Sequence, residues 1–312
     1  MKARLLLLSC VFSMVVLPSV RVLAQQFHED VAVERVNVYL TAIDKKGQFV
    51  TDLKPDELVI KENGVVQAVT NFANLSLQSN DPLGEKDVPI TVAFLIDSSE
   101  SMSAGIQRYT KIDIVKNASF RLLDELREQD QMMLISFNEM PTEVSPLTAD
   151  KKKVQQALLF QGVEGGSTAL LDSIYFALEK LKQEWGRKII VVCSDGEDTA
   201  SRVHLDEVLS NLVASDVTVL AFGTMNLTST ALRGRYILQK LADASGGYAF
   251  FPNSLSVLDD VMEKLKQGMR SQYSLGYQPS NHRKDGSWRK IEITCIRQGL
   301  KLRYRNGYSA NR

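Results

Sequence analysis

The chain has 312 residues, 44% of them apolar and 24% charged, with a formal net charge of zero. That length suits about two domains, and the composition is that of an ordinary globular protein. The balanced charge gives no electrostatic footprint for nucleic acid.

The first 24 residues read as a secretory signal. Lys2 and Arg4 form a charged start, and Leu5 to Leu17 an apolar stretch shorter than the ~20 residues of a membrane-spanning helix. Pro18 ends it, and Val22-Leu23-Ala24 predicts cleavage after Ala24. The mature chain would then carry 34 basic and 37 acidic side chains, with no span, in a periplasmic or secreted location. Cys193 and Cys295 would remain. Both alternate or run with apolar strand residues, so they are expected to be small buried hydrophobes rather than a disulfide pair.

Residues 28–77 predict β-structure. Val36, Val38, Leu40 and Ala42 alternate with Asn37, Tyr39, Thr41 and Ile43, and Asn63-Gly64 marks a hairpin. Residues 78–88 are turn-rich and predict a linker. Strand and helix then alternate: strands over 90–96, 131–137, 142–147, 187–194, 217–222 and 248–251, and helices over 109–127, from about 150, and over 168–184, 204–214, 232–244 and 256–270. Repeated β-α units with short apolar strands predict a doubly wound, mostly parallel, six-stranded sheet covered on both faces. From Ser271 the pattern is β again, with strands over 272–277 and 288–296. Leu300, Leu302 and Tyr304 alternate with Lys301, Arg303 and Arg305. The basic residues predict a solvated strand face, or less simply an anionic partner site. Neither flank buries a core well alone. Residues 28–77 and 271–310 are therefore expected to pair as a smaller discontinuous β-sandwich, with residues 86–270 inserted.

Oxygen-bearing side chains follow the strands of the inserted region. Asp97, Ser99 and Ser101 follow the apolar run 91–96, Thr168 follows Gly165-Gly166-Ser167, and Asp195 follows 189–193. Ligands of an open parallel sheet bind at the carboxyl ends of its strands. Two carboxylates and three hydroxyls converging there suit a hard cation, Mg²⁺ or less selectively Mn²⁺ or Ca²⁺. A carboxylate from a partner protein could fill an open coordination position. Taken singly, these residues would merely turn loops and cap helices.

The segments Phe94–Met102, Gly165–Leu170 and Ser194–Thr199 resemble the three loops of a von Willebrand factor A domain with a metal-ion-dependent adhesion site. The resemblance covers roughly residues 88–268. The flanks, Val36–Phe72 and the Tyr277-Gln-Pro, Arg289-Lys-Ile and Arg305-Asn-Gly-Tyr308 segments, look like the bacterial group related to that family. The resemblance implies Asp97, Ser99, Ser101, Thr168 and Asp195 as site residues, the hydroxyls binding directly and the carboxylates in part through water. Glu100 stands where glycine is common. Asp198 is a candidate for the shell behind the ligands, and Asp172 for a helix cap.

The implied function is an exported, Mg²⁺-dependent adhesion or assembly module that binds a protein ligand and is not an enzyme. One alternative is a scaffold that binds through its β-sandwich with the metal site unused. The other is a metal-dependent hydrolase, which the sequence disfavours: His28, His204 and His282 lie away from the three loops, and there is no G-x-S-x-G elbow or P-loop.

Overall fold

A computed structural model describes residues 35–75, 88–106, 108–224, 231–252, 257–270 and 272–310. The expected signal segment and most of the expected linker lie outside these residues. The front of the chain forms β1 (Val36–Ile43), β2 (Leu58–Glu62), β3 (Val65–Gln67) and β4 (Val69–Asn74). Asn63 and Gly64, both at positive φ, close the β2–β3 hairpin.

The middle of the chain begins with β5 (Ile90–Asp97), β6 (Gly105–Ile106), β7 (Tyr109–Thr110) and α1 (Lys111–Asp124). It continues through β8 (Gln131–Phe137), β9 (Pro141–Thr148), α2 (Lys151–Leu159), α3 (Leu170–Leu181) and β10 (Arg187–Ser194). The remaining elements are α4 (Leu205–Ala214), β11 (Thr218–Gly223), α5 (Ala231–Ser245), β12 (Tyr248–Phe250) and α6 (Leu258–Arg270). Six of these strands form one sheet in the order β12-β11-β10-β5-β8-β9, parallel except for β9 at the edge.

Both faces of the sheet are covered, which is why its strands read as continuous apolar runs. Val92, Phe94 and Ile96 pack with α1, α2 and α6, whereas Ala93 and Leu95 pack with α3, α4 and α5. Helix α1 starts two residues later than the periodicity suggests. Thr110 is its N-cap, locked to Asp113 by a reciprocal capping box, and Tyr109 pairs in a short ribbon instead.

The back of the chain adds β13 (Tyr273–Tyr277), β14 (Trp288–Cys295), β15 (Lys301–Arg303) and β16 (Gly307–Ser309). Two antiparallel sheets result, ordered β15-β1-β13-β4 and β16-β14-β2-β3, and each takes strands from both ends of the chain. They share one core, which includes Val38, Leu40, Ile60, Tyr273, Leu275, Tyr277 and Ile291. Glu62 is buried in that core, and its Oε2 accepts from the hydroxyls of Tyr277 and Tyr308 at 2.8 Å each.

Two expectations about the back segment need correction. Arg303 and Arg305 do not line a solvated face. Arg303 donates to Asp243 and to the Gly247 carbonyl and lies 4.7 Å over the Tyr248 ring. Arg305 donates to the carbonyls of Ser215 and Asn37. Both arginines point toward the parallel-sheet unit because β15 and its continuation run along it. Cys295 is only half-buried, since it ends β14 at the edge of the core; Cys193 is fully buried, and both thiols are free.

The junction between the units is also polar. Arg187, at the start of β10, is buried and donates to Gln272 Oε1 and to the Met269 carbonyl. Burial lowers its pKa to about 10.

Candidate metal site

β5 and β10 are neighbours in the sheet, with Ile96 opposite Cys193, so Asp97 and Ser194–Asp195 emerge side by side at their carboxyl ends. Thr168 arrives differently from the expectation. It does not follow a strand but ends the loop after α2 and precedes Ala169, the N-cap of α3. The loop is pinned over the sheet because the Ala169 N–H donates to the Asn138 carbonyl just beyond β8, at 2.6 Å.

Backbone hydrogen bonds lock the three loops together. Glu164 and Gly165 N–H groups donate to the Ser98 carbonyl at 2.8 and 3.2 Å, and Glu100 N–H donates to Gly166 at 3.3 Å. Thr199 and Ala200 N–H groups donate to the Thr168 carbonyl at 2.8 and 3.0 Å, while Thr168 N–H donates to Thr199 Oγ1 at 3.0 Å. Gly165 and Gly166 both have positive φ, which the loop's path requires.

Asp97, Ser98, Ser99, Thr168, Ser194 and Asp195 are all buried, and Ser101 is half-buried. Asp97 Oδ1 accepts from Ser99 Oγ at 2.6 Å and from Ser99 N–H at 3.0 Å, and Ser99 Oγ lies 3.3 Å from Ser101 Oγ. Asp97 Oδ2 accepts from Ser194 Oγ at 2.6 Å. Burial pushes the Asp97 carboxyl up to about 6; the hydrogen bonds from Ser194 and Ser99 oppose this, and the nearby charge of Asp195 adds to it.

The donor set fits a small divalent cation. Adjacent ligands around an octahedral ion at about 2.0–2.1 Å are about 2.9 Å apart. The Asp97–Ser99 and Ser99–Ser101 oxygen separations bracket that edge. Among the described residues no three His, Cys, Asp or Glu side chains gather as a metal cluster, so a cation site here needs the hydroxyls.

Two residues of the site escaped the sequence reading. Ser194 holds the second oxygen of Asp97 and accepts from Gly196 N–H at 2.9 Å; a hydroxyl closing an otherwise apolar strand was its signal. Lys111 donates from Nζ to Asp195 Oδ2 at 3.1 Å, with both side chains buried. Its signal was a lysine opening a helix, where the backbone dipole disfavours a cation. Asp198 and Asp172 serve the loops. Asp198 Oδ1 accepts from Ser201 Oγ and Leu171 N–H, and Asp172 Oδ1 accepts from the N–H groups of Arg202 and Val203. Glu100 is exposed, with Oε2 beside Gly165.

The Asp195 loop also rests on a backbone contact with α5. A Cβ on Gly234 would lie 2.2 Å from the Asp195 carbonyl oxygen, and one on Gly196 would lie 2.3 Å from the Gly234 carbonyl oxygen.

Comparison with known proteins bears on the parallel-sheet unit and its fold. Residues 92–197 match the von Willebrand factor type A domain family. The human inter-alpha-trypsin inhibitor heavy chain H4 is 28% identical over 183 residues, covering 54% of this chain and 19% of that protein. The bovine counterpart is 30% identical over 129 residues, covering 38% of this chain and 14% of that protein. The chain thus matches less than a fifth of the length of these curated relatives. A von Willebrand factor type A structure from Catenulispora acidiphila superposes with a TM-score of 0.51 at 15% identity, covering 72% of this chain and 66% of the other, and supports the fold alone. The strand order of the parallel-sheet unit agrees with the family match, which places a von Willebrand factor type A domain at residues 92–197.

Proposed function

We propose that the chain is an exported, divalent-metal-dependent protein-binding module, with Asp97, Ser99, Ser101, Thr168 and Asp195 holding Mg²⁺ or a similar hard cation. The von Willebrand factor A domain is a protein-interaction module. The observation that carries the metal reading is the row of Asp97, Ser99 and Ser101 oxygens at octahedral-edge spacing. A bound Mg²⁺ would supply a Lewis-acidic position for a partner's carboxylate. The chain's own part is to fix the hydroxyls by the Ser98 and Thr168 backbone bonds and to keep both carboxylates out of water. The charged start, apolar stretch and small-residue site of the first 24 residues support the export reading. No helix among the described residues is long and apolar enough to cross a membrane.

A thermal melt of the full chain in chelator and in excess Mg²⁺, beside Asp97→Ala, tests the reading. At free Mg²⁺ about 100 times the dissociation constant, linkage gives about 2.7 kcal/mol, a rise of roughly 5–10 °C for a protein of this size. The rise should vanish in Asp97→Ala. An equal rise in both proteins, or none in wild type, refutes the site.

A further inference from the structure

Lys111 is placed where two general rules disfavour it. The first turn of a helix carries the positive end of the backbone dipole, and an ammonium taken out of water loses its hydration. The local structure nevertheless fixes it there. Its N–H donates to the Ala104 carbonyl at 3.1 Å, and the Thr110–Asp113 capping box sets where α1 begins. From the start of α1 the side chain reaches the carboxylate of Asp195, where Nζ sits 3.1 Å from Oδ2. The other oxygen of Asp195 accepts from Glu197 N–H at 3.3 Å. Asp97, in contrast, is met by hydroxyl and amide donors in the described contacts, all of them neutral.

We infer that Lys111 is a resident counter-cation of the metal site. It cancels the charge of Asp195, so an arriving divalent ion meets one uncompensated carboxylate instead of two. Affinity for the free ion is thereby held low, and the bound ion keeps excess positive charge. An anionic group on a ligand restores the balance, so metal and acidic ligand bind with positive coupling, each raising the affinity for the other. In the absence of metal the same ammonium relieves the repulsion between Asp97 and Asp195 and keeps the loops in register. Lys111 acts through Asp195 and is therefore a positioning residue. The inference rests on the metal reading proposed above.

The sign of one measurement separates this role from simple support. A lysine that only braces the loop would weaken metal binding when removed, whereas a counter-cation would strengthen it. Calorimetric titration of the full chain with Mg²⁺ and with Mn²⁺ should give at least tenfold tighter binding for Lys111→Met than for wild type. Lys111→Gln, which keeps a donor without charge, should also bind tighter and serves if the methionine variant fails to fold. Lys111→Arg, which keeps the charge, should bind as wild type does. In chelator the Met and Gln variants should melt several degrees below wild type, and saturating Mg²⁺ should close that gap. Equal or weaker binding by both neutral variants overturns the role of Lys111 and leaves the metal site standing. No binding of either ion by wild type and both neutral variants overturns the metal site itself, and this inference with it.

Discussion

Gly234→Ala puts two forces in opposition at the site. Gly234 lies in the first turn of α5, where alanine is the better helix former by about 1 kcal/mol. Propensity alone therefore makes the variant more stable. Packing argues the reverse, because the new methyl would lie 2.2 Å from the Asp195 carbonyl oxygen and 2.9 Å from the Gly196 carbonyl carbon. Ordinary carbon–oxygen contact needs more than 3 Å, roughly, and both obstacles are backbone, so no rotamer change relieves them. Either α5 or the Asp195 loop must move by about 1 Å. Forced insertions into packed regions cost about 1–3 kcal/mol, and backbone on both sides puts this one at the upper end. After the propensity gain the net loss is about 2 kcal/mol, or roughly 4–8 °C in melting temperature. Differential scanning calorimetry in chelator reads it directly, and Mg²⁺ titration should show weaker binding because Asp195 rides on the displaced loop. A melting temperature above wild type would refute the argument that this glycine is kept for close approach.

Three further outcomes follow from buried or capped polar groups. Glu62→Leu removes the acceptor of the Tyr277 hydroxyl, which sits in the sandwich core, and should cost about 1–3 kcal/mol by chemical denaturation; adding Tyr277→Phe should recover part of that loss, and strict additivity of the two changes would count against the network. Arg187→Met strips donors from Gln272 Oε1 and the Met269 carbonyl and should lower stability by about 2 kcal/mol or more, read from the melting temperature; an unchanged melting temperature would mean that this junction contributes nothing. Hydrogen bonds from Thr110 hold the Asp113 carboxyl below its usual value, 3.8. The stability it contributes is therefore fully present above that value and lost as pH falls toward the lower folded value. Asp113→Asn should show a shallower loss in acid titrations, and a slope identical to wild type would remove the capping box from the account.

The doubly wound sheet was legible because its strands are buried on both faces and so appear as unbroken apolar runs, such as Val92–Ile96 and Ile189–Cys193. The convergence of Asp97 with Asp195 was legible for a related reason: residues that directly follow adjacent parallel strands must emerge together. Thr168 was harder to place. Its position is set by a loop that crosses over the end of β8 and is held there by backbone bonds, which leave no mark in residue type. Lys111 was hidden because its partner is 84 positions away, although its misfit with the helix dipole was visible. The arginines near the carboxyl terminus show the limit of alternation as a guide. Lys301, Arg303 and Arg305 share a period of two, yet Arg303 and Arg305 face the parallel-sheet unit and only Lys301 is exposed. Periodicity tells which residues share a face; it does not tell what lies opposite.

The interleaving of front and back strands has a mechanical consequence. β1 is flanked by β13 and β15, and β2 by β14, so strands before the inserted unit are zipped to strands after it. Asn74 lies opposite Tyr273, which brings the points where the chain leaves for the insert and returns from it to adjacent strands. Tension applied to the two ends of the chain is carried first by the rungs between these strands, and the inserted parallel-sheet unit hangs outside the load path. It feels force only after the sheets unzip. In a single-molecule pulling trace the antiparallel sheets should yield before the parallel one, so the loops around Asp97, Thr168 and Asp195 would stay at rest while the flanking sheets are stretched.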